Sequence, residues 1–143
     1  MKVNEVMTRR AECICADATL QDAAERMRTL NIGSLPVCDD DHLIGMLTDR
    51  DIAIRSVSAG HDPRNDHVRD AMTAHVFYCY EDQDVTEAAE LMRTRQVRRL
   101  PVLRRDQHLT GIVSLGDLAV EAGNEQLAGE TLEAISEPSS PQR

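Results

Sequence analysis

The apolar positions of the chain follow a helical spacing in two places. They recur at every third or fourth residue, the pattern of a helix that buries one face. The first stripe is Leu20, Ala23, Ala24, Met27 and Leu30, and the second is Val85, Ala88, Ala89 and Met92. A capping-box pair stands at the start of each stripe. It is Thr19 with Asp22 in the first stripe, and Asp84 with Glu87 in the second. The pattern therefore predicts one amphipathic helix in each half of the chain.

Two short apolar runs separated by a polar turn follow each helix, which is typical of a β-hairpin. Pro36 is the second residue of its run and has no N–H to give to a ladder, so it predicts a strand start or an edge strand. The runs are residues 35–38 and 44–47 in the first half and 100–103 and 111–113 in the second. Short strands at 12–15 and 76–80 and helices at 49–57 and 115–122 complete the order strand, helix, strand, strand, helix in each half.

The two halves are copies of one motif. Shifting the sequence by 65 places aligns residues 3–38 with 68–103 without a gap, and 13 of the 36 aligned positions are identical. We therefore expect an α+β protein built from two repeats. The expected divisions are a first repeat at 1–58, a polar loop at 59–67, a second repeat at 68–122, and a helix with a disordered tail at 123–143.

The charge of the chain argues against nucleic acid as a partner. The formal net charge is −9, with 25 acidic against 16 basic residues, and such a field repels a polyanion. No run of about 18 apolar residues occurs in the sequence, so no membrane helix is predicted. The start of the chain lacks an apolar signal-peptide segment, so we expect a cytoplasmic protein.

Three short motifs recur at the same place in both copies. They are Met-Thr at 7–8 and 72–73, Leu-Pro-Val at 35–37 and 100–102, and a strand-to-helix segment, GMLTDRD at 45–51 and GIVSLGD at 111–117. In their order, spacing and duplication they resemble a tandem pair of cystathionine-β-synthase (CBS) domains, also called a Bateman module, of the short stand-alone type. The resemblance covers roughly residues 2–122.

The resemblance implies a fold and a function. The repeats are expected to pack about a pseudo-twofold axis and to leave two clefts for adenosine-containing ligands such as AMP, ATP, NAD-type cofactors or S-adenosylmethionine, with no cofactor required. The implied protein is a regulatory, non-catalytic sensor that forms a homodimer and signals to a separate effector protein. The alternative is a ligand-free dimeric scaffold or stress-response protein. The sequence contains neither a nucleophile elbow nor a Gly-rich phosphate loop, so an enzyme is not predicted.

Two residue pairs are candidates for the ligand site. The resemblance implies that Asp51 and Asp117 accept hydrogen bonds from ribose hydroxyls, while Thr48 and Ser114 contact a phosphate at a helix N-terminus. The same spacing is also a capping box, which needs no ligand. On the pairs alone the cap is the better interpretation, and their place in a CBS pair favours nucleotide binding in at least one repeat.

An arginine-rich stretch distinguishes the second copy from the first. Residues 93–105 contain six arginines and no acid. In the related fold Arg98 and Arg99 approach the strand that lines the cleft, where a guanidinium can hold a phosphate through two hydrogen bonds. The first copy has Gly33 and Ser34 at these places. We therefore expect two chemically unequal clefts.

Arg50 and Pro101 complete the candidate ligand-binding residues. Arg50 is the nearest cation of the first copy and lies in the turn that carries Thr48. Pro101 lies beside the strand that contains Phe77 and Tyr78, which together offer an apolar slot for adenine. Individually, these strand residues are better explained as core.

The four cysteines are too few and too scattered for a secreted disulfide scaffold. If the strands that carry them are neighbours, as the related fold implies, Cys13 or Cys15 approaches Cys38. That placement allows a reversible disulfide, with Cys13 and Cys38 as the redox pair, or a metal site. Burial as small apolar residues is the simpler interpretation. The five histidines show no metal-ligand spacing, so no metal site is predicted.

Overall fold

A computed structural model of the chain describes residues 1–9, 12–121, 123 and 125–138. Its strands are β1 (Thr8–Arg9), β2 (Ile14–Cys15), β3 (Ser34–Asp39), β4 (His42–Thr48), β5 (Cys79–Tyr80), β6 (Arg99–Leu103) and β7 (Leu109–Ser114). Its α-helices are α1 (Leu20–Leu30), α2 (Asp49–Ile52), α3 (Val68–Ala71), α4 (Val85–Arg95), α5 (Leu115–Val120) and α6 (Glu125–Ser136). The α+β class is confirmed, and the end of the expected tail, residues 139–143, lies outside the described residues.

The chain forms two compact units. One contains Glu12–Val76, and the other combines Met1–Ala11 with Phe77–Arg143. The first unit has the strand order β2-β3-β4 and the second has β1-β7-β6-β5. In both units a short outer strand runs parallel to the first strand of an antiparallel hairpin. Each hairpin also shifts its register at the same aligned position, after Val37 and after Val102, so the repeat extends to the details of strand pairing.

Pro36 is the third residue of β3, which is a middle strand, so the edge-strand alternative is wrong. β3 is flanked by β2 and β4. Pro36 faces Met46, whose N–H and C=O bond to Thr73 at 2.9 and 2.8 Å and thus point away from β3. Pairing with β2 begins only at Val37. Because neither neighbour needs a donor at Pro36, the missing N–H leaves no gap in the ladder.

The Met-Thr motif of each repeat packs on a glycine of the other repeat. A Cβ at Gly45 would lie 2.8 Å from the Thr73 carbonyl oxygen, and a Cβ at Gly111 would lie 2.5 Å from the Thr8 carbonyl oxygen. Thr8 is also the first residue of β1, which pairs with β7. Only a residue without a side chain permits such a close backbone approach. This exchange brings the start of the chain into the unit of the second repeat.

Each unit has its own apolar core. In the first unit α1 contributes Leu20 to a cluster that includes the fully buried Leu35 and Leu47. In the second unit the fully buried Met92 of α4 packs in a cluster with Leu100 and Leu118. Full burial of side chains of this size stabilises a fold by about 1.5–3 kcal/mol each. Both predicted amphipathic helices are therefore confirmed, together with their capping boxes.

The predicted helix at residues 49–57 is only partly α-helical. α2 ends at Ile52 and continues as a π-helical turn over Ala53–Val57. Within this turn Ser56 is buried, and its hydroxyl donates to Asp66 Oδ2 at 2.8 Å. This hydrogen bond anchors the 59–67 loop to the π-helical turn of the same unit.

Candidate functional site

The two candidate ligand pairs form capping boxes where a strand passes into a helix. Ser114 Oγ accepts a hydrogen bond from the Asp117 N–H at 3.1 Å, and Asp117 Oδ2 accepts one from the Ser114 N–H at 2.8 Å. Thr48 and Asp51 make the same reciprocal pair at 3.0 Å in both directions. The capping interpretation is confirmed in both repeats.

The helices that follow these caps are short. α2 has four residues and α5 has six. Because a macrodipole sums over aligned peptide units, helices of this length offer little field to an anion. A phosphate near Ser114 would therefore depend on side-chain cations.

Arg98 and Arg99 supply such cations next to the Ser114 cap. Arg99 is the register partner of Ser114 across β6 and β7. The Leu115 N–H donates to the Arg98 carbonyl oxygen at 2.8 Å, which ties the start of α5 to the start of β6. Both arginine side chains are exposed.

The other four arginines of the 93–105 stretch have partners inside the protein. Arg93 pairs with Glu90, Arg104 with Asp106 at 3.2 Å and Arg105 with Asp82 at 2.9 Å, while the Arg95 guanidinium lies 4.5 Å from the centre of the Phe77 ring. Within the part of the chain that the structure describes, Arg98 and Arg99 have no carboxylate or aromatic partner. Their charges are therefore available to an external anion.

A surface pocket of about 460 Å³ lies at this place. Arg98, Arg99 and Ser114 line it from the edge of the sheet. Leu115, Gly116 and Ala119 line it from α5, and Ala128, Gly129 and Leu132 line it from α6. The volume falls in the range of about 300–1,000 Å³ that is typical of small-ligand sites. Two cations against otherwise small or apolar walls suit a ligand with an anionic group and an apolar body.

The corresponding position of the first repeat carries the opposite charge. The Asp49 N–H donates to the Gly33 carbonyl oxygen at 3.0 Å, which matches the bond between Leu115 and Arg98. A Cβ at Gly33 would lie 3.2 Å from Asp49 Oδ2, so the carboxylate fills the space beside Gly33. Asp49 Oδ1 also accepts the Arg50 N–H at 2.8 Å. This carboxylate disfavours a phosphate because like charges repel.

The first unit also has a pocket, but in a different place. It measures about 610 Å³ and is lined by residues of the β2 and α1 segments, among them Cys13, Cys15 and Arg26. Thr48 and Asp51 do not line it. Arg50 is exposed at the start of α2. Thr48, Arg50 and Asp51 thus lie next to one another at the start of α2, but they lie outside this pocket.

The structure separates Pro101 and the aromatic strand residues from the arginine pocket. Pro101 is buried in β6 opposite Ile112 and does not line that pocket. The interpretation of Phe77 and Tyr78 as core is wrong, because they are 41% and 39% exposed. β5 contains only Cys79–Tyr80, so the regular alternation of a strand does not extend to these two aromatic residues.

Three cysteines meet where β2 and β3 run side by side. Cys15 is the register partner of Cys38, and the Cys13 side chain lies close to that of Cys38. Burial, followed by the neighbouring Cys13, raises the pKa of the Cys38 thiol to about 12. Burial raises the pKa of Cys79 to about 12 as well. All four cysteines are free thiols, and the burial interpretation holds for Cys38 and Cys79 but not for the exposed Cys15.

Among the described residues no group of three or more histidine, cysteine, aspartate or glutamate side chains is placed to hold a metal ion. Over the same part of the chain, no helix has the length and apolar character needed to cross a bilayer.

Fold and site together define a class of protein. Two copies of one α+β unit each carry a capped strand-to-helix turn, and one of these turns borders a cationic pocket. This arrangement is that of a tandem pair of repeated α+β domains. The chain belongs to the CBS domain family, whose profile matches residues 3–57 and 68–123. CBS domains are typically regulatory and non-catalytic.

Known relatives agree with this assignment. The CBS domain-containing protein YhcV of Bacillus subtilis is 37% identical over 134 residues, which cover 94% of both chains. Hypoxic response protein 1 of Mycobacterium tuberculosis is 39% identical over 116 residues, 80% of each chain. A crystal structure of Hypoxic Response Protein I with two coordinated zinc ions has a TM-score of 0.76 at 38% identity, covering 83% of this chain and 97% of that one. The crystal structure of CBSX2 in complex with AMP has a TM-score of 0.75 at 26% identity, covering 87% and 98%. The predicted resemblance to a stand-alone CBS pair is confirmed.

Sequence reasoning missed two parts of this site. The exchange of Asp49 for Leu115 is visible in the repeat alignment, but the position of the Asp49 carboxylate beside Gly33 requires the fold. The contribution of α6 to the pocket has no counterpart in the repeat. Gly129, in the middle of α6, is the one signal in the sequence that marks that helix as unusual.

Proposed function

We propose that the protein is a regulatory module that binds a phosphate-bearing adenosine ligand in the pocket beside Arg98 and Arg99. The observation that carries this proposal is the pair of guanidinium groups that have no partner among the described residues and line the pocket. A guanidinium holds a phosphate through two parallel hydrogen bonds. In the proposed mode the phosphate lies between the two arginines and the Ser114 hydroxyl.

The remaining candidate residues receive roles in the same mode. Asp117 does not line the pocket itself. It uses Oδ2 for the cap beside Ser114, and a carboxylate has further acceptor positions for a ribose hydroxyl at the edge of the pocket. Pro101 supports the strand that carries Arg99. In the first repeat Thr48, Arg50 and Asp51 form a second, weaker site that accepts an uncharged adenosine end, because Asp49 repels phosphate.

The charge of the pocket ranks the candidate ligands. AMP, ATP and NAD-type molecules all carry phosphate, whereas S-adenosylmethionine carries a cationic sulfonium and no phosphate. The arginines favour the first three and disfavour the fourth. The bound ligand is not transformed. It shifts a conformational equilibrium by binding one state more tightly, and a separate effector protein responds to that state.

Calorimetric titration with AMP, ATP, NADH and S-adenosylmethionine tests the proposal. We expect saturable heat with the phosphate ligands that is lost in Asp117→Ala. Asp51→Ala removes the equivalent cap of the first repeat and serves as the matched control, which should keep the AMP affinity of the pocket beside Arg98 and Arg99. Circular dichroism verifies that both variants keep their helix content. A folded protein that gives no heat with any phosphate ligand contradicts the proposal and favours a scaffold.

We propose that the functional form is a homodimer. Ile54 and Val57, which lie three residues apart in one helical turn, are 50% and 59% exposed, and Val120 is 77% exposed. Exposed apolar surface is what a second copy of the chain would cover. Sedimentation equilibrium should give twice the mass of one chain, and Val120→Glu or Val57→Glu should lower that mass. A monomer at all concentrations would contradict the homodimer without affecting the ligand proposal.

A redox response is a second candidate function, and the observation that favours it is the pairing of β2 with β3, which places Cys13 and Cys15 beside Cys38. In the proposed reaction hydrogen peroxide oxidises the two thiols to a disulfide and is itself reduced to two molecules of water. Peptide mapping after peroxide treatment should find the 13–38 link. Cys38→Ser should abolish the thermal shift caused by dithiothreitol, and Cys79→Ser should not. Failure to form the link under peroxide would refute this function.

A further inference from the structure

The helix α6 lies outside both matched CBS domains but is an integral part of its unit. The family match ends at residue 123, and α6 begins at Glu125. Ala128 and Thr131 of α6 are buried. The Gln96 side chain donates to the Ala134 and Glu137 carbonyl oxygens at 3.2 Å each, close to the end of the helix. α6 is therefore a fixed wall of the unit.

One side of this wall faces the arginine pocket. Ala128, Gly129 and Leu132 line the pocket from α6, opposite the edge that carries Arg98 and Arg99. Leu132 is 48% exposed, so it presents apolar surface to the pocket. The arginine side of the pocket and its apolar wall thus come from different parts of the chain.

Gly129 is costly for the helix and is not required by its packing. Glycine in a helix interior destabilises it by about 1 kcal/mol relative to alanine. A Cβ at Gly129 would have no neighbouring atom within 4 Å. Neither a tight helix contact nor a left-handed backbone explains the residue, since no positive φ is found there. A side chain at Gly129 would instead take up space next to the pocket.

We propose that α6 is part of the ligand site and that Gly129 keeps this pocket open for the apolar body of an adenosine phosphate held by Arg98 and Arg99. This inference rests on the proposed function. The helix that follows the second CBS domain then determines which ligands fit, and a bound ligand contacts α6 directly. A bulky side chain at Gly129 occupies the same space as the ligand.

Variants at Gly129 test this role by calorimetric titration of the full chain with AMP. Gly129→Phe should weaken AMP binding by about tenfold or more, because its ring fills the pocket. Gly129→Ala should bind AMP within about twofold of the unsubstituted protein and melt at the same or a higher temperature. Glu130→Phe places the same ring on an exposed position of α6 and should leave AMP binding unchanged. Gly129→Leu repeats the test if the phenylalanine variant does not fold.

Hydrogen exchange gives an independent measure of the same contact. Saturating AMP should slow amide exchange in α6 in the unsubstituted protein and not in Gly129→Phe. If the unsubstituted protein binds AMP and Gly129→Phe binds it equally well, the role of α6 is overturned while the proposed function stands. If the unsubstituted protein binds no adenosine phosphate at all, both are overturned.

Discussion

The carboxylate of Asp49 lies beside Gly33, with Oδ2 3.2 Å from the position that a Cβ at Gly33 would occupy. At the aligned positions the second repeat has Leu115 and Arg98, joined by the same backbone hydrogen bond. The two repeats therefore share a backbone but present opposite charges at one place. The two copies thus have the same fold but differ in the charge of their side chains at this position.

This difference predicts the stoichiometry of phosphate binding. Because Asp49 repels an anion, the unsubstituted protein should bind one equivalent of AMP per chain. The triple variant Gly33→Arg, Ser34→Arg and Asp49→Leu gives the first repeat both arginines and removes its carboxylate. Calorimetry should then show a second AMP site, weaker than the first because α6 has no counterpart in that repeat. Two equal sites in the unsubstituted protein would contradict this prediction.

The glycines under the Met-Thr motifs predict a strong effect on stability. In Gly111→Ala the new methyl group would lie 2.5 Å from the Thr8 carbonyl oxygen, so the strand must shift. We expect a loss of about 1–3 kcal/mol in the free energy of unfolding, measured by urea denaturation. Gly116→Ala is the control, since its Cβ would meet only Ser114 Oγ at 3.5 Å, and it should not lower stability. Equal stability of Gly111→Ala and the parent protein would refute the close packing.

The sequence was sufficient for the repeat, the family, both amphipathic helices and the four capping boxes that begin at Thr19, Thr48, Asp84 and Ser114, because these depend on residues close together in the chain. It was insufficient where the outcome depends on contacts between distant segments. Pro36 was assigned to a strand start or an edge strand. The sequence does not show that Met46, which faces Pro36, bonds to Thr73, because only the fold brings Thr73 there. Phe77 was assigned to the core because a strand longer than β5 was expected. The wall that α6 gives to the pocket follows no local pattern.

The buried thiols predict a loss of stability in alkaline solution. Burial raises the pKa of Cys79 from 9.0 to about 12, so above pH 9 the unfolded chain releases a proton that the folded protein retains. Stability is fully present below pH 9 and falls as the pH rises toward 12. Cys79→Ala should show a smaller decrease in melting temperature between pH 8.5 and about 10.5 than the parent protein. An identical pH dependence in the two proteins would contradict the buried, protonated thiol.

The start of α4 predicts a dependence on acid pH. Hydrogen bonds from Thr86, followed by the N-terminal ammonium at 3.1 Å, lower the pKa of Asp84 from 3.8 to about 2. Its contribution to stability is therefore present above pH 3.8 and is lost as the pH falls toward 2. Asp84→Ala should melt at a lower temperature than the parent at pH 7, and the difference should shrink in acid. A difference that stays constant down to pH 2 would refute this assignment.

The central claim is that Arg98 and Arg99 hold the phosphate of an adenosine ligand, and the most direct test compares two double variants from the same basic stretch. One variant combines Arg98→Ala with Arg99→Ala, and the other combines Arg104→Ala with Arg105→Ala. Both remove two positive charges, but Arg104 and Arg105 already bind Asp106 and Asp82. The decisive measurement is the dissociation constant for AMP by calorimetry at one fixed salt concentration. The first variant should lose about tenfold or more in affinity, and the second should stay within about twofold of the parent. Equal losses in both variants, or no loss in the first, would contradict the claim.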